Sequence, residues 1–508
     1  MERIKTHWII ITLIILSGII WGINYNLHFN GFYWNDSHDY SQMARNIYEG
    51  NGFSTSVLRP ISFLNFQTLP HPELTRPPVY PHLLAAFFWL FGPNDFAVVL
   101  LSGLFYILFV IFTFLFAREL TGGDNAALFT SLCAALSAIF LSWSIGGSSD
   151  IVYSALLYFF FYVYTTYPEK VFLHGLIVGV LYLTRANTVF LIPALVLVDF
   201  NPFIKRTNWK RLAVFITSLI LVVAPYLTRN LSFTGLVSSV NSSGLVMFTK
   251  SYPGYTYWTQ LTAVPAWEFI KTHPGEFYVK IINALYALAA DFKGSFGVVL
   301  LILMAVGLLV PLKEERQKRT RKIILSAIVI QTFVVVPISP EARYYMYFVP
   351  IILSFVFIAV GQISEKIFRM ACCVLILSLV IVSSAGFWKT SKQFNFYQLL
   401  GDVVKAETEK KDIIASDIAW ELSWYADRRT VWLPYDLEMM KKISESVPVN
   451  YVFLSIYLSR QLVPYKDNIW QQLFFNVNSF KLPELKLIKV FYFNNRPVGV
   501  LYKTEINQ

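Results

Sequence analysis

The chain has 508 residues, of which 56% are hydrophobic and only 14% charged, and its mean hydropathy is +0.52; this balance excludes an ordinary soluble globular protein and describes a polytopic membrane protein. The formal net charge of +11 does not point to nucleic acid, because the basic residues gather in short loops between apolar runs, most densely in KEERQKRTRK at 313–322, where the positive-inside bias puts them. The three cysteines, Cys133, Cys372 and Cys373, fall inside apolar runs and read as small buried hydrophobes, not as a disulfide framework or a metal site.

The first apolar run, near 8–27, is long and lacks a small-residue cleavage site, so it reads as an anchor and not as a cleaved signal. Behind it comes NDSHDYSQMARNIYEGNGF at 35–53. Tyr40, Ala44 and Ile47 follow Asp36 at helical spacing, so Asp36 is placed either to cap that helix or to face a site. The run PVYPHLLAAFFWLFG at 78–92 is too short to cross a bilayer and carries Pro81; it predicts a helix lying at the interface, with Phe87 and Phe88 at a lateral entrance for a lipid. Further apolar runs lie near 96–117, 125–143, 151–167, 212–228, 296–312, 322–338, 345–361 and 368–387, with two abbreviated ones near 171–183 and 188–200. Together they predict about eleven spans.

With the N-terminus inside, the strongly basic short loops fall on one side: Arg3 and Lys5, Arg118, Lys170, Lys205 to Arg211, the 313–322 cluster, then Lys366 and Arg369. The opposite, outer side receives the first loop 28–95, the turns 144–150, 184–187 and 339–344, a long loop 229–295 and everything beyond about 390. That last part changes character. Strand-like runs (DIIAS, TVWL, NYVFLSIY, LKLIKVFYF, VGVLYK) alternate with helical patterns, which predicts a small soluble α/β domain over 391–508 behind a membrane domain over 1–390.

Several ionisable residues share the outer side. Asp36 and Asp39 stand in the first loop, Asp150 opens a span after GGSS, Arg185 sits between the two abbreviated spans, and Arg343 lies in SPEARYYMYFVP. Taken singly they have ordinary explanations: solvated or capping carboxylates, and arginines anchored at the interface. Taken together, and with the RPP at 76–78, they are better explained by a cavity holding carboxylates beside an anion-binding set, since a charge near lipid is costly without a partner or a wet cavity. The aromatic stretch SYPGYTYWTQ at 251–260 reads as interface anchoring before sugar stacking, and SDIAWELSWYADRRTVWLP at 416–434 as the core of the C-terminal domain.

These residues carry a resemblance. The pattern D-S-x-x-Y-x-x-x-A-x-x-x-x-x-G from Asp36 through Tyr40 and Ala44 to Gly50, RPPVYPHLLAAFFWLFG from Arg76, SSDIVYSALL around Asp150, LTRANTVFLIPAL around Arg185, APYLTRNLSFTG at 224–235 and EARYYMYFVP at 341–350 resemble the GT-C glycosyltransferases of the protein mannosyltransferase and aminoarabinose transferase superfamily. The resemblance implies an integral membrane enzyme that takes a sugar from a polyprenyl-phosphate donor to a hydroxyl of a lipid, glycan or protein acceptor, with inversion by direct displacement. On that reading Asp36 is the general base, Asp150 orients a substrate, Arg76, Arg185 and Arg343 hold the donor phosphate, and Asp39 and Tyr40 complete the substrate site. Ser37 occupies a position where the family often has Glu, which leaves the second acid open between Asp39 and Asp150. His38, Asp36 and Asp39, or His71 and Glu73, are the available metal ligands, yet they form no specific constellation, and the resemblance implies no divalent cofactor. A bacterial inner membrane with an undecaprenyl carrier, the site and the C-terminal domain facing outward, is the expected setting; an archaeal membrane with a dolichyl carrier is the other. A transporter or flippase of lipid-linked sugars is the competing class, which would favour broken helices at the midplane and paired repeats.

Overall fold

The computed structural model describes residues 2–200, 208–235, 243–339, 341–390, 392, 394–459, 465 and 468–506. Lys205 and Arg206 of the predicted basic loop lie outside the described residues. The membrane part begins with α1 (Glu2–His28), α2 (Asn35–Tyr48), α3 (Val79–Phe91), α4 (Asp95–Thr121), α5 (Asp124–Leu136), α6 (Ala138–Ile145), α7 (Ser149–Thr166) and α8 (Val171–Thr184). Further helices follow at Trp209–Thr234, Pro274–Leu309, Glu315–Val335, Val349–Val360 and Lys366–Ser383.

Among the described residues five helices are individually long and apolar enough to cross a bilayer, and two bent pairs bring the number to 7 if each pair is one span. The abbreviated runs of the sequence become the short α8 and a second short apolar helix over Ala186–Phe200 that passes from 3-10 through α to π geometry. Lipid offers no hydrophobic drive between helices, so close packing and buried hydrogen bonds hold the bundle. Gly103 of α4 gives an example: a Cβ there would lie 2.2 Å from the Trp21 ring of α1, and Trp21 Nε1 donates to the Ser144 carbonyl at 3.2 Å. Phe109 and Phe116 of α4 meet the Tyr158 ring of α7 edge-on. The 58° bend between α5 and α6 frees the Ala138 N–H, which donates to Ser384 Oγ at 3.0 Å; in a bilayer such a group must be satisfied internally.

The C-terminal segment forms an α/β layer. Its strands β4 (Ile413–Ser416), β5 (Arg429–Trp432), β6 (Val449–Ser455), β7 (Leu485–Phe493) and β8 (Arg496–Thr504) correspond to the runs predicted from the sequence. They belong to a six-stranded sheet whose remaining edge is β2 (Val57–Leu58) from the segment between α2 and α3, where β1 (Ser54–Thr55) and β3 (His71–Pro72) also pair, in the order β2-β5-β4-β6-β8-β7. The first four strands run parallel and the last two antiparallel. One face buries Ala415, Val431, Val452 and Val500; the other buries Ile414, Phe453 and Leu501 against Leu400 and Val404 of the helix Phe396–Glu407, which is how parallel strands covered on both faces come to read as near-continuous apolar runs. The layer is also tied to the membrane part by Asp95, whose carboxylate accepts from Trp424 Nε1 at 2.7 Å and from the Tyr425 hydroxyl at 3.0 Å.

Candidate active site

Helix α2 presents its carboxylates to a cluster of arginines drawn from three distant segments. Its N-cap is Trp34, in extended conformation and without a side-chain cap bond. Asp36 therefore does not cap the helix, and its side chain turns to the guanidinium groups instead. Oδ1 accepts from Arg76 Nη2 at 2.6 Å and Oδ2 from Arg343 Nη2 at 2.5 Å.

The same Arg343 nitrogen lies 3.0 Å from Asp150 Oδ2, and Arg343 Nε 3.2 Å from Asp150 Oδ1. Asp150 is further held by Arg185 Nη1 at 3.1 Å, the Tyr347 hydroxyl at 2.5 Å and the Ser148 hydroxyl at 2.7 Å. Arg185 also donates to Ser149 Oγ at 3.0 Å, and Ser149 in turn donates to the Tyr40 hydroxyl at 3.2 Å. The Tyr40 ring lies under the Arg76 guanidinium, 5.3 Å from its centre. All seven residues singled out in the sequence, Asp36, Asp39, Tyr40, Arg76, Asp150, Arg185 and Arg343, meet in one network.

Asp39 lies one helical turn beyond Asp36 on the same side of α2. Its Oδ2 accepts from Arg59 Nη2 at 2.7 Å and from Arg76 Nε at 3.0 Å, and Arg59 Nη1 continues to Glu73 Oε2 at 3.2 Å. Glu73 Oε1 closes the segment that carries Arg76, accepting from the backbone N–H groups of Thr75 at 2.5 Å and Arg76 at 3.0 Å. Four carboxylates thus alternate with four arginines, a charge-balanced array that lets each ion stay buried. Exposure separates the three aspartates: the Asp36 side chain is 16% exposed, those of Asp39 and Asp150 0%. Burial raises the Asp36 carboxyl, but Arg76 and Arg343 outweigh burial and hold it well below the usual carboxylate range. Burial prevails at Asp39, which is raised despite Arg59 and Arg76, whereas Glu73 is lowered to about 2, with burial opposed by Arg59 and the Thr75 hydrogen bonds.

Arg59 and Tyr347 are members of the network that sequence reasoning passed over, and Glu73 entered it only as a metal ligand. Two signals were available: Arg59-Pro60 repeats the Arg76-Pro77 step within one loop, and Tyr347 lies one turn after Arg343. The metal readings fare differently from the carboxylate readings. His38 points away from Asp36 and Asp39: its Nδ1 meets the Trp34 carbonyl at 3.0 Å, and its ring packs among Phe32, Tyr397 and Tyr425. His71 stacks on Phe66 with ring centres 4.8 Å apart. Among the described residues no three His, Cys, Asp or Glu side chains form a group able to hold a metal ion.

The predicted interfacial helix is α3, with a correction at one position. Phe88 is 1% exposed and stacks on Trp424, so it is packed inside the protein and does not line an entrance. Trp89 and Leu90 face outward instead, at 67% and 74% exposure. The aromatic stretch near 251–260 packs inward too: Tyr257 is buried, and the Arg59 guanidinium lies 6.0 Å from the Trp258 ring.

Residues 75–228 match the family model of the dolichyl-phosphate-mannose-protein mannosyltransferases. An uncharacterized protein of Aquifex aeolicus is 26% identical over 187 residues, and that match spans 36% of this chain and 36% of the relative's length. Among solved structures, the oligosaccharyltransferase of Archaeoglobus fulgidus shares the fold with a TM-score of 0.57 at 13% identity, over 88% of this chain and 68% of that one. ArnT from Cupriavidus metallidurans, bound to undecaprenyl phosphate, aligns over 98% of both chains at 12% identity with a TM-score of 0.46. The resemblance read from the sequence holds: the chain is a multi-pass membrane protein of GT-C fold whose residues 75–228 match the protein mannosyltransferase family.

Proposed function

We propose that the protein is a glycosyltransferase that moves a sugar from a polyprenyl-phosphate donor to a hydroxyl of a lipid, glycan or protein acceptor at the outer face of a bacterial inner membrane, with undecaprenyl phosphate as the carrier. The observation that carries this reading is the bridge from Arg343 to both Asp36 and Asp150, flanked by Arg76 and Arg185, with Asp36 the one aspartate of the three whose side chain reaches solvent.

In the reaction, the acceptor oxygen attacks the anomeric carbon as the bond to the lipid phosphate breaks, inverting that centre. Asp36 takes the acceptor proton, and the departing phosphate keeps the bonding electrons and meets the arginines. Charge-assisted bonds from guanidinium to phosphate are strong and directional. In the resting state Asp36 is ionised but weakly basic, because two arginines hold it. Each arginine that turns to the donor phosphate withdraws a hydrogen bond from Asp36 and raises its basicity when a base is needed. Asp150, fully buried and held by five donors on four residues, keeps Arg343 and Arg185 at the site while Arg343 exchanges Asp36 for the phosphate.

The test is transfer from radiolabelled polyprenyl-phosphate sugars to an extracted acceptor pool by purified protein, wild type against Asp36→Asn. Transfer by wild type that disappears in the folded variant supports both the class and the base. Donor binding without transfer in either form would instead assign the protein to lipid handling.

A further inference from the structure

A second cluster of charge lies where the C-terminal end of α2 meets the sheet, and the transfer chemistry does not use it. A cavity of about 330 Å3 opens there, with Arg45, Lys410, Lys411, Arg428 and Arg429 in its wall. Two carboxylates, Glu49 and Asp427, also line it, which leaves the positive charge in excess.

The pairing within the wall shows which cations are already engaged. Arg45 is 9% exposed; it donates to the carbonyls of Ser423 and Trp424 and lies 3.2 Å from Asp427. Lys410 shares that same carboxylate at 2.9 Å and reaches Glu49 at 3.8 Å. Asp427 is therefore divided between two cations.

Arg428 gives its donors to the carbonyls of Lys405, Ala426, Asp427 and Thr408 and to the Thr408 hydroxyl, so it is fixed in place without a carboxylate in contact. Among the described residues neither Arg428 nor Arg429 forms an ion pair. Lys411 pairs with Glu409 at 2.8 Å, and Glu409 is not part of the cavity wall. Arg428 thus adds fixed positive charge with all five of its N–H donors spent, and the exposed donors of Arg429, Lys410 and Lys411 are the ones that match an oxyanion with several acceptor oxygens.

The cavity is also one side chain away from the active site. Gln42 Nε2 donates to Asp39 Oδ1 at 3.2 Å, and its Oε1 accepts from the Ser56 N–H at 2.8 Å. Ser56 and its partner Asn46, joined at 3.1 Å, belong to the cavity wall.

We propose that this cavity is a binding site for a phosphate-type oxyanion, separate from the arginines of the transfer site. The proposal stands without the transferase reading, because it concerns binding alone.

The test is calorimetric titration of full-length protein in neutral detergent with inorganic pyrophosphate, using wild type, Lys410→Glu/Arg429→Glu and Arg343→Lys. Lys410 and Arg429 are exposed, so the double variant keeps its packing. Saturable binding that weakens at least tenfold in the double variant and persists in Arg343→Lys is the expected result. Wild-type affinity in the double variant, loss of binding in folded Arg343→Lys, or no saturable binding by wild type would each overturn the proposal. Repeating the titration in nanodiscs identifies the source of the anion. Binding suppressed by phosphatidylglycerol but not by phosphatidylcholine supports the site with a lipid headgroup as occupant. Binding equal in both supports it with a soluble phosphate.

Discussion

Arg343 donates from Nη2 to Asp36 Oδ2 at 2.5 Å, across 307 residues of chain. The same guanidinium spans Asp150, so its planar fork does what a single ammonium cannot. Arg343→Lys is expected to lower transfer at least tenfold while the protein stays folded. Arg343→Gln, which leaves buried carboxylates without their shared partner, is expected to cost about 3–5 kcal/mol of stability as well. Transfer assays beside thermal unfolding in detergent separate the two effects, and full transfer by the lysine variant would remove the fork from the mechanism.

Removing the proposed base has a different signature. Asp36→Asn keeps the size and one hydrogen-bond acceptor of the side chain but cannot take a proton, so kcat should fall by about 10²–10⁴-fold with donor affinity retained. Donor binding by fluorescence or filter assay, run beside single-turnover transfer, makes the distinction. Loss of binding together with transfer would assign Asp36 to positioning the arginines.

Asp39 and Glu73 share the guanidinium of Arg59, whose side chain is 5% exposed, and Asp39 is paired with Arg76 as well. Arg59→Met should destabilise this loop by about 3–5 kcal/mol, the cost of breaking a buried ion pair by removing one partner. Adding Glu73→Gln should recover part of that loss, because one of the two stranded charges is then absent. Limited proteolysis of the first outer loop and the unfolding midpoint provide the readouts.

The C-terminal layer carries a pH dependence of its own. Glu421 is 1% exposed, neither of its carboxyl oxygens has a hydrogen-bond partner among the described residues, and burial, with Asp417 and Asp39 nearby, pushes it up to about 8. The folded protein therefore binds a proton that the unfolded chain, with an ordinary carboxyl near 4.3, releases at neutral pH. Stability falls as pH rises from about 4.5 to 8, by at most about 1.4 kcal/mol per unit for this proton, and levels off above. Asp417, raised to about 7 by burial, adds a dependence of the same sign. Glu421→Gln should be the more thermostable protein at pH 8, with its advantage over wild type shrinking steadily toward pH 5. A constant difference across that range would refute the assignment.

On α3, Trp89→Lys is expected to impair use of a long-chain lipid donor several-fold more than use of a short-chain analogue, because Trp89 faces outward. Phe88→Lys should unfold the protein with either donor, since its ring is buried against Trp424.

The amino-acid pattern was most informative where physics is local. Apolar runs, basic loops and the strands β4 to β8 follow from composition and periodicity, and Asp36, Asp150, Arg185 and Arg343 stand out as charges at the ends of apolar segments. What the pattern did not show depends on pairing across long separations. Arg59 is one arginine among many until Asp39 and Glu73 lie on either side of it, and Phe88 reads as a lipid-facing aromatic until Trp424 arrives from the far end of the chain. The dipeptide of β2 is too short to signal a strand by itself; its partner β5 defines it.

That edge strand also bears on the timing of biosynthesis. Val57 and Leu58 pair with Thr430 and Val431, so a growing chain carries the first outer loop for most of its synthesis before the strand that receives it exists. At about 5–20 residues per second the wait is on the order of 20 s to over a minute. Arg59, which leaves β2 directly into the Asp39 and Glu73 pair, is set by the same docking. A ribosome that stalls before β5 leaves a chain that has its membrane helices and lacks the edge pairing of the loop, so every residue of the site, from Asp36 to Arg343, is made before the strand that receives β2.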